Sequence, residues 1–166
     1  MHDSALHTGG YVKSFPPEFG VRSLVTRQMI VEKAREYLDT PFHHQGRLKG
    51  VGVDCIGLLR CVADEIFPPN ELSNHDCPNY ARIPQGTKIL DEMDKVLVRI
   101  PKSKAALGDV YIFWTDPSTK HPQHAALITD IGIIHTWERA GKVVETHLGE
   151  FWEERVLCTF TFPVKD

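Results

Sequence analysis

Gly50-Val51-Gly52-Val53-Asp54-Cys55-Ile56-Gly57-Leu58-Leu59 is the stretch on which the reading of this chain turns. Ile56, Leu59, Ala63 and Ile66 recur at helical spacing and Pro68-Pro69 ends the run, which predicts a helix over residues 55–66. Asp54 stands where a carboxylate would cap that helix. A cysteine at a helix start differs chemically from one elsewhere. Unpaired amides and the macrodipole favour the thiolate, lowering the thiol pKa from about 8.5 toward roughly 3.5–7.5. The glycines ahead of it let the backbone approach a substrate closely. Gly57, one turn in, would let the helix press against a neighbouring strand.

Working outward toward the N-terminus, residues 41–53 hold three glycines and read as a loop. Before it a helix is predicted over 26–38: Ile30, Ala34, Tyr37 and Leu38 share a face, Thr26 can cap the start, and Pro41 lies just past the end. Residues 1–25 contain Gly9-Gly10, Pro16-Pro17 and Gly20 and read as an N-terminal arm, leaving 26–166 as one domain. Toward the C-terminus, 68–86 reads as irregular, and a third helix fits 87–97 through Ile89, Met93, Val96 and Leu97.

The remainder reads as strands: 109–114, 124–129, 133–137, 142–147 and 156–162. Asp130-Ile131-Gly132 and Ala140-Gly141 are turn signals between neighbours. Helices first and strands after predict an α+β domain with a five-stranded antiparallel sheet.

With 166 residues the chain can bury a core without staples. Its 42% hydrophobic and 25% charged residues are those of a globular domain. A net charge of -3 gives no basic footprint for nucleic acid. No membrane span is expected, since no run approaches roughly 20 apolar residues. Residues 1–14 lack the apolar core of a signal peptide, so synthesis and folding in the cytoplasm are expected.

Of the four cysteines, Cys61 and Cys158 fit small buried hydrophobes, Cys77 beside Pro78 is uninformative, and Cys55 alone opens a helix after glycines. Disulfides are not expected in this setting. A cysteine nucleophile needs a base, and the base an orienting partner. Nine histidines compete for those roles. His124 opens one strand and His135 lies on the next, so a hairpin around Asp130-Ile131-Gly132 brings them together as base and orienter. His2, His7, His75 and His121 read as surface or core histidines. His43 and His44 stand in the loop ahead of Cys55, where they could line a cleft or, with Cys55, form a metal site; no carboxylate completes such a set. No metal and no cofactor is expected.

These residues also carry a resemblance. Thr40-Pro41-Phe42-His43-His44-Gln45 followed by Gly52-Val53-Asp54-Cys55-Ile56-Gly57 resembles the NlpC-type cell-wall peptidases, nearest the phage and gene-transfer-agent branch. Leu107-Gly108-Asp109-Val110, His124-Ala125-Ala126-Leu127, Ile133-Ile134-His135-Thr136, Phe151-Trp152 and Phe160-Thr161-Phe162-Pro163 resemble later segments of that family in the same order. The match runs from about Thr26 to Pro163. It implies a papain-like core with Cys55 as nucleophile, His124 as base and His135 as orienter. It also implies cleavage of peptide bonds in the peptidoglycan stem, often between D-glutamate and a diamino acid. Phage or gene-transfer-agent tail proteins are the implied partners, with a virion, tail or prophage setting.

Around the trio, Asp54, Phe42, His43, Gln45 and Trp137 are candidate substrate contacts, with Gln45 also a candidate oxyanion donor. Asp54 has a helix-capping role as its alternative. Three departures stand out: Ile56 where many relatives have serine, Phe42 where many have tyrosine, and Leu107 where proline is usual. Alternatives on the same residues are an amidase, transglutaminase or acyltransferase, and a non-catalytic tail-tip component.

Overall fold

The computed structural model describes residues 24–67 and 79–164. Residues 1–23 of the N-terminal arm, residues 68–78 with His75 and Cys77, and residues 165–166 lie outside the described residues.

Helix α1 (Arg27–Arg35) begins where the Thr26 hydroxyl accepts from the Met29 amide at 3.2 Å, and it buries Ile30, Val31 and Ala34. It is shorter than the predicted 26–38, because the chain leaves the helix in turns that end at Asp39, φ 67°. Within the span read as loop, β1 (Arg47–Leu48) and β2 (Gly52–Val53) form a two-stranded ribbon. Helix α2 (Cys55–Ile66) has the bounds its periodicity predicts. The residue after it, Phe67, is extended (φ -93°, ψ 149°), as a residue preceding proline prefers to be. What presses on Gly57 is the loop rather than a strand: a Cβ there would stand 2.1 Å from the Gly46 carbonyl oxygen. Helix α3 (Lys88–Val96) buries Ile89 and Met93.

The sheet has six strands, one more than the sequence suggests. They are β3 (Val98–Ile100), β4 (Val110–Trp114), β5 (Pro122–Ile128), β6 (Ile133–Trp137), β7 (Lys142–Thr146) and β8 (Val156–Thr161), in the order β3-β8-β4-β5-β6-β7. Every neighbouring pair is antiparallel. Strand β3 escaped prediction because it is three residues long, follows α3 directly and meets Pro101; only pairing with β8 makes it a strand. A short helix, α4 (Glu150–Glu153), was also not anticipated.

Strand alternation divides the core in two. Val110, Ile112, Ala125, Leu127, Ile134 and Phe160 face the side covered by α1, α2 and α3. Tyr111, Phe113, Ala126 and Ile133 face the other side, where Trp152 of α4 covers them. Burial on both faces explains why β4 and β5 read as near-continuous apolar runs. Truncating Phe113, fully buried, would cost about 3–5 kcal/mol.

The Leu107-Gly108-Asp109 segment ties α1 to the sheet. Gly108 is left-handed (φ 80°), and a Cβ there would meet the Arg27 carbonyl oxygen at 3.0 Å. Buried Asp109 accepts from Arg27 Nη1 at 2.5 Å and from the Ala106 amide at 2.9 Å. Among the described residues no helix is long and apolar enough to cross a membrane.

Candidate active site

Cys55 is the first residue of α2, and its helix start is built around Asp54. One Asp54 carboxylate oxygen accepts from the Gly57 amide at 2.8 Å, closing the N-cap. The other accepts from the Gln45 amide at 2.7 Å and from the Tyr80 hydroxyl at 2.5 Å. Arg47 Nη1 stands 3.5 Å from the first oxygen, and the Thr136 hydroxyl donates to the Asp54 carbonyl at 3.2 Å. Asp54 is buried, so these partners replace the water it has lost. The effect is to fix where Cys55 sits.

The backbones of Ala125 on β5, of Ile56 and of Cys55 itself each act to lower the Cys55 thiol pKa. These contacts favour the thiolate, as the helix-start argument expects, but they are outweighed. Burial is the largest influence and the neighbouring Asp54 carboxylate adds to it, so the thiol pKa is pushed up to about 12. The expectation of a lowered thiol pKa is therefore corrected. Helix-start amides are present, yet desolvation and a carboxylate one residue away act against them.

His124 precedes Ala125 on β5, and its side chain opens on the same cleft of about 650 Å³ as Cys55. Its Nε2 lies 2.7 Å from His135 Nδ1 on β6. The hairpin pairs Leu127 with Ile134 and Ile128 with Ile133, which sets the two histidines diagonally across neighbouring strands. Both are buried. Burial, with a further contribution from His135, holds His124 well below the usual imidazole range. Burial alone lowers His135 to about 4. The pair is uncharged at neutral pH.

Aromatic rings supply that burial. His124 stacks on Trp152 (centroids 5.3 Å) and meets Trp137 edge-on at 5.3 Å, with Phe113 6.0 Å away. His135 lies parallel to Trp137 at 6.0 Å and edge-on to Trp152 at 5.0 Å. Trp137 had been expected at the groove. Trp152, which the sequence offers only as part of the Phe151-Trp152 resemblance, joins it because α4 lies over the histidines, a placement nothing in the local pattern shows.

The other expected site residues are distributed as follows. Phe42 lines the cleft, with the Arg82 guanidinium 5.8 Å from its ring. His43 turns its Nδ1 to the His44 carbonyl oxygen at 3.0 Å. His44 lies edge-on to Tyr80 (centroids 5.4 Å), its Nδ1 3.7 Å from Asp54. Gln45 adopts φ 59°, and its side-chain nitrogen donates to the Tyr80 carbonyl at 2.8 Å. That donor is therefore engaged in holding the 79–87 loop. His121 accepts from the Gly86 amide at 3.2 Å, securing the far end of the same loop. Among the described residues no group of three or more His, Cys, Asp or Glu is placed to hold a metal ion. Cys55, Cys61 and Cys158 are free thiols.

The arrangement of helices and sheet that carries this cleft is shared with solved structures. The NlpC/p60 domain of the peptidoglycan hydrolase SagA superposes with a TM-score of 0.58 over 83% of this chain and 100% of that domain, at 22% identity. The chain has the NlpC/P60 fold. An NlpC/P60 family protein from Bacillus cereus ATCC 10987 aligns with a TM-score of 0.58 at 17% identity, over 84% of this chain and 41% of that one. The P60 domain of an antigen from M. avium subspecies paratuberculosis gives 0.55 at 17% identity, over 84% and 96%. No family model and no curated protein matches the sequence. The NlpC/P60 likeness is thus one of architecture, and the chemistry has to be argued from the cleft itself.

Proposed function

We propose that this chain is a cysteine peptidase that hydrolyses peptide bonds in the peptidoglycan stem, with Cys55 as nucleophile, His124 as general base and His135 as its orienter. One observation carries the reading. Cys55 and His124 line one cleft, and His124 bonds through Nε2 to His135 at 2.7 Å, which leaves its Nδ1 outside that contact. Of the two tautomer pairs this contact allows, only the one in which His124 donates leaves its Nδ1 able to take a proton.

The reaction begins from an uncharged thiol and an uncharged imidazole. As the sulfur attacks the scissile carbonyl, its proton passes to His124 Nδ1 and a carbon–sulfur bond forms. The backbone amide of Cys55 at the start of α2 receives the developing oxyanion. The imidazolium then protonates the leaving amine as the carbon–nitrogen bond breaks. Water, deprotonated by His124, releases the acyl group and restores the thiol. His135 steadies the imidazolium as a neutral acceptor, a role its own low pKa preserves.

Peptidoglycan as substrate is supported by the fold shared with a peptidoglycan hydrolase domain. The finer reading is cleavage between D-glutamate and the diamino acid, by a protein carried on a phage or gene-transfer-agent tail. It rests on the resemblance of segments 40–45 and 52–59. The test is mass spectrometry of purified peptidoglycan incubated with the wild type and with Cys55→Ser. New stem-peptide fragments that are lost in the variant support the peptidase and identify the bond. Products that require a second acyl acceptor point to a transferase, and no products across several wall types point to a non-catalytic tail component.

A further inference from the structure

The far end of the cleft holds an arginine that the proposed chemistry does not use. Arg155 lines the cavity shared by Cys55 and His124 and immediately precedes β8. Its guanidinium carbon lies 3.8 Å from the centroid of Phe151 and 4.6 Å from that of Trp114. Nη1 donates to the Phe151 carbonyl at 2.6 Å, while Nε is buried with no hydrogen-bond partner among the described residues. Among the described residues the only carboxylate within ion-pair distance is that of Glu154, 3.9 Å away on a side chain that is 63% exposed. Lys120 places a second cation 5.6 Å from the Trp114 ring. A cation fixed by two rings and a carbonyl, weakly countered in a chain of net charge -3, has little entropy left to lose on binding an anion.

Register gives the distance to the chemistry. Phe113 pairs with Val156 on one side and with His124 on the other, so Arg155 and His124 stand about two strand spacings apart, ~10 Å. An extended peptide covers that distance in about three residues, fewer when the long arginine side chain reaches inward. Half-exposed Phe151 supplies an apolar rim to the same corner.

We infer that Arg155 is a carboxylate-binding subsite of this cleft, selecting stem peptides with a free carboxylate near the scissile bond; the substrate class rests on the peptidase reading above. The Phe151 carbonyl and the two rings hold the guanidinium so that its outer edge takes the anion by charge-assisted hydrogen bonds. An amidated peptide leaves that edge without a charge partner.

The test is binding of L-Ala-γ-D-Glu-meso-diaminopimelate-D-Ala to Cys55→Ser and to Cys55→Ser/Arg155→Gln by calorimetry. The peptide is used with its carboxylates free, with the D-Glu α-carboxylate amidated, and with the diaminopimelate side-chain carboxylate amidated. Expected is a loss of about tenfold on one of the two amidations in Cys55→Ser. In the double variant the free peptide weakens by the same factor and the amidation no longer matters. Arg155→Lys in the same background recovers part of the preference, and Arg155→Met serves in place of Arg155→Gln if that variant melts early. An unchanged free-to-amidated ratio after replacing Arg155, or no binding of any form, overturns the subsite. Cleavage by the wild type is scored separately. Arg155-dependent binding without cleavage refutes the peptidase and keeps the subsite, whereas cleavage with binding indifferent to the carboxylate does the reverse.

Discussion

On one wall of the cleft, Asp54 is held by hydrogen bonds from the Gln45 and Gly57 amides and the Tyr80 hydroxyl. On the other, His124 and His135 bond to each other and are otherwise enclosed by Trp137, Trp152 and Phe113. Both walls fix a side chain in place, by opposite means. Directed hydrogen bonds give a buried carboxylate the partners it needs. Packing against rings fixes the imidazoles while denying them charge, which is why both histidines titrate low. Cys55 lies between the two, and its raised thiol pKa carries a share from each: burial first, then the Asp54 charge.

Substitutions that exchange the two modes sharpen this comparison. The largest effect is expected at His135. His135→Leu keeps the packing but removes the acceptor for His124 Nε2, so kcat/KM on a stem peptide should fall by about 10³-fold. His135→Asn retains an acceptor and should lose about tenfold. Equal losses in the two would mean that the ring contacts, not the hydrogen bond, position His124.

Next comes Asp54→Ala, which removes the cap of α2 and leaves buried partners unmatched. Stability should drop by about 4 kcal/mol, lowering Tm by about 10 °C. A drop no larger than that of an ordinary cap replacement, about 1 kcal/mol, would mean that Tyr80 and Arg47 find other partners. Differential scanning calorimetry reads this directly.

The histidine wall should be exposed by acid. His135 binds its proton at about 4 in the fold against 6.5 ordinarily, so the unfolded chain takes up the proton first as pH falls. Stability is unaffected by this group above 6.5 and falls between 6.5 and 4, the loss reaching about 3 kcal/mol at the lower end. Urea unfolding across that range should show this loss in the wild type and a smaller one, left by His124, in His135→Asn. The same loss in both would place the titrating group elsewhere.

Much of this arrangement was legible in the sequence because it is local. Asp54, the glycines around it and the Ile56, Leu59, Ala63 and Ile66 spacing carry the whole of α2. The short turn at Asp130-Ile131-Gly132 fixes the hairpin register and with it the meeting of His124 and His135. What was hidden depends on contacts between segments distant along the chain. Strand β3 exists only through β8, Tyr80 reaches Asp54 from an aperiodic loop, and Trp152 covers the histidines from a helix of four residues. The thiol pKa was misjudged for the same reason. Helix-start amides can be read from the order of residues, whereas the enclosure that desolvates Cys55 is made by elements far from it.

The claim that the resting cleft holds an uncharged thiol beside an uncharged imidazole is tested most directly by the pH dependence of Cys55 alkylation. The wild type would be treated with iodoacetamide from pH 5 to 10, and the peptide containing Cys55 quantified by mass spectrometry. The rate should be low at pH 6 and climb with pH through 9 without levelling. A fast rate already level from pH 6 upward would reveal a preformed thiolate–imidazolium pair and contradict the account.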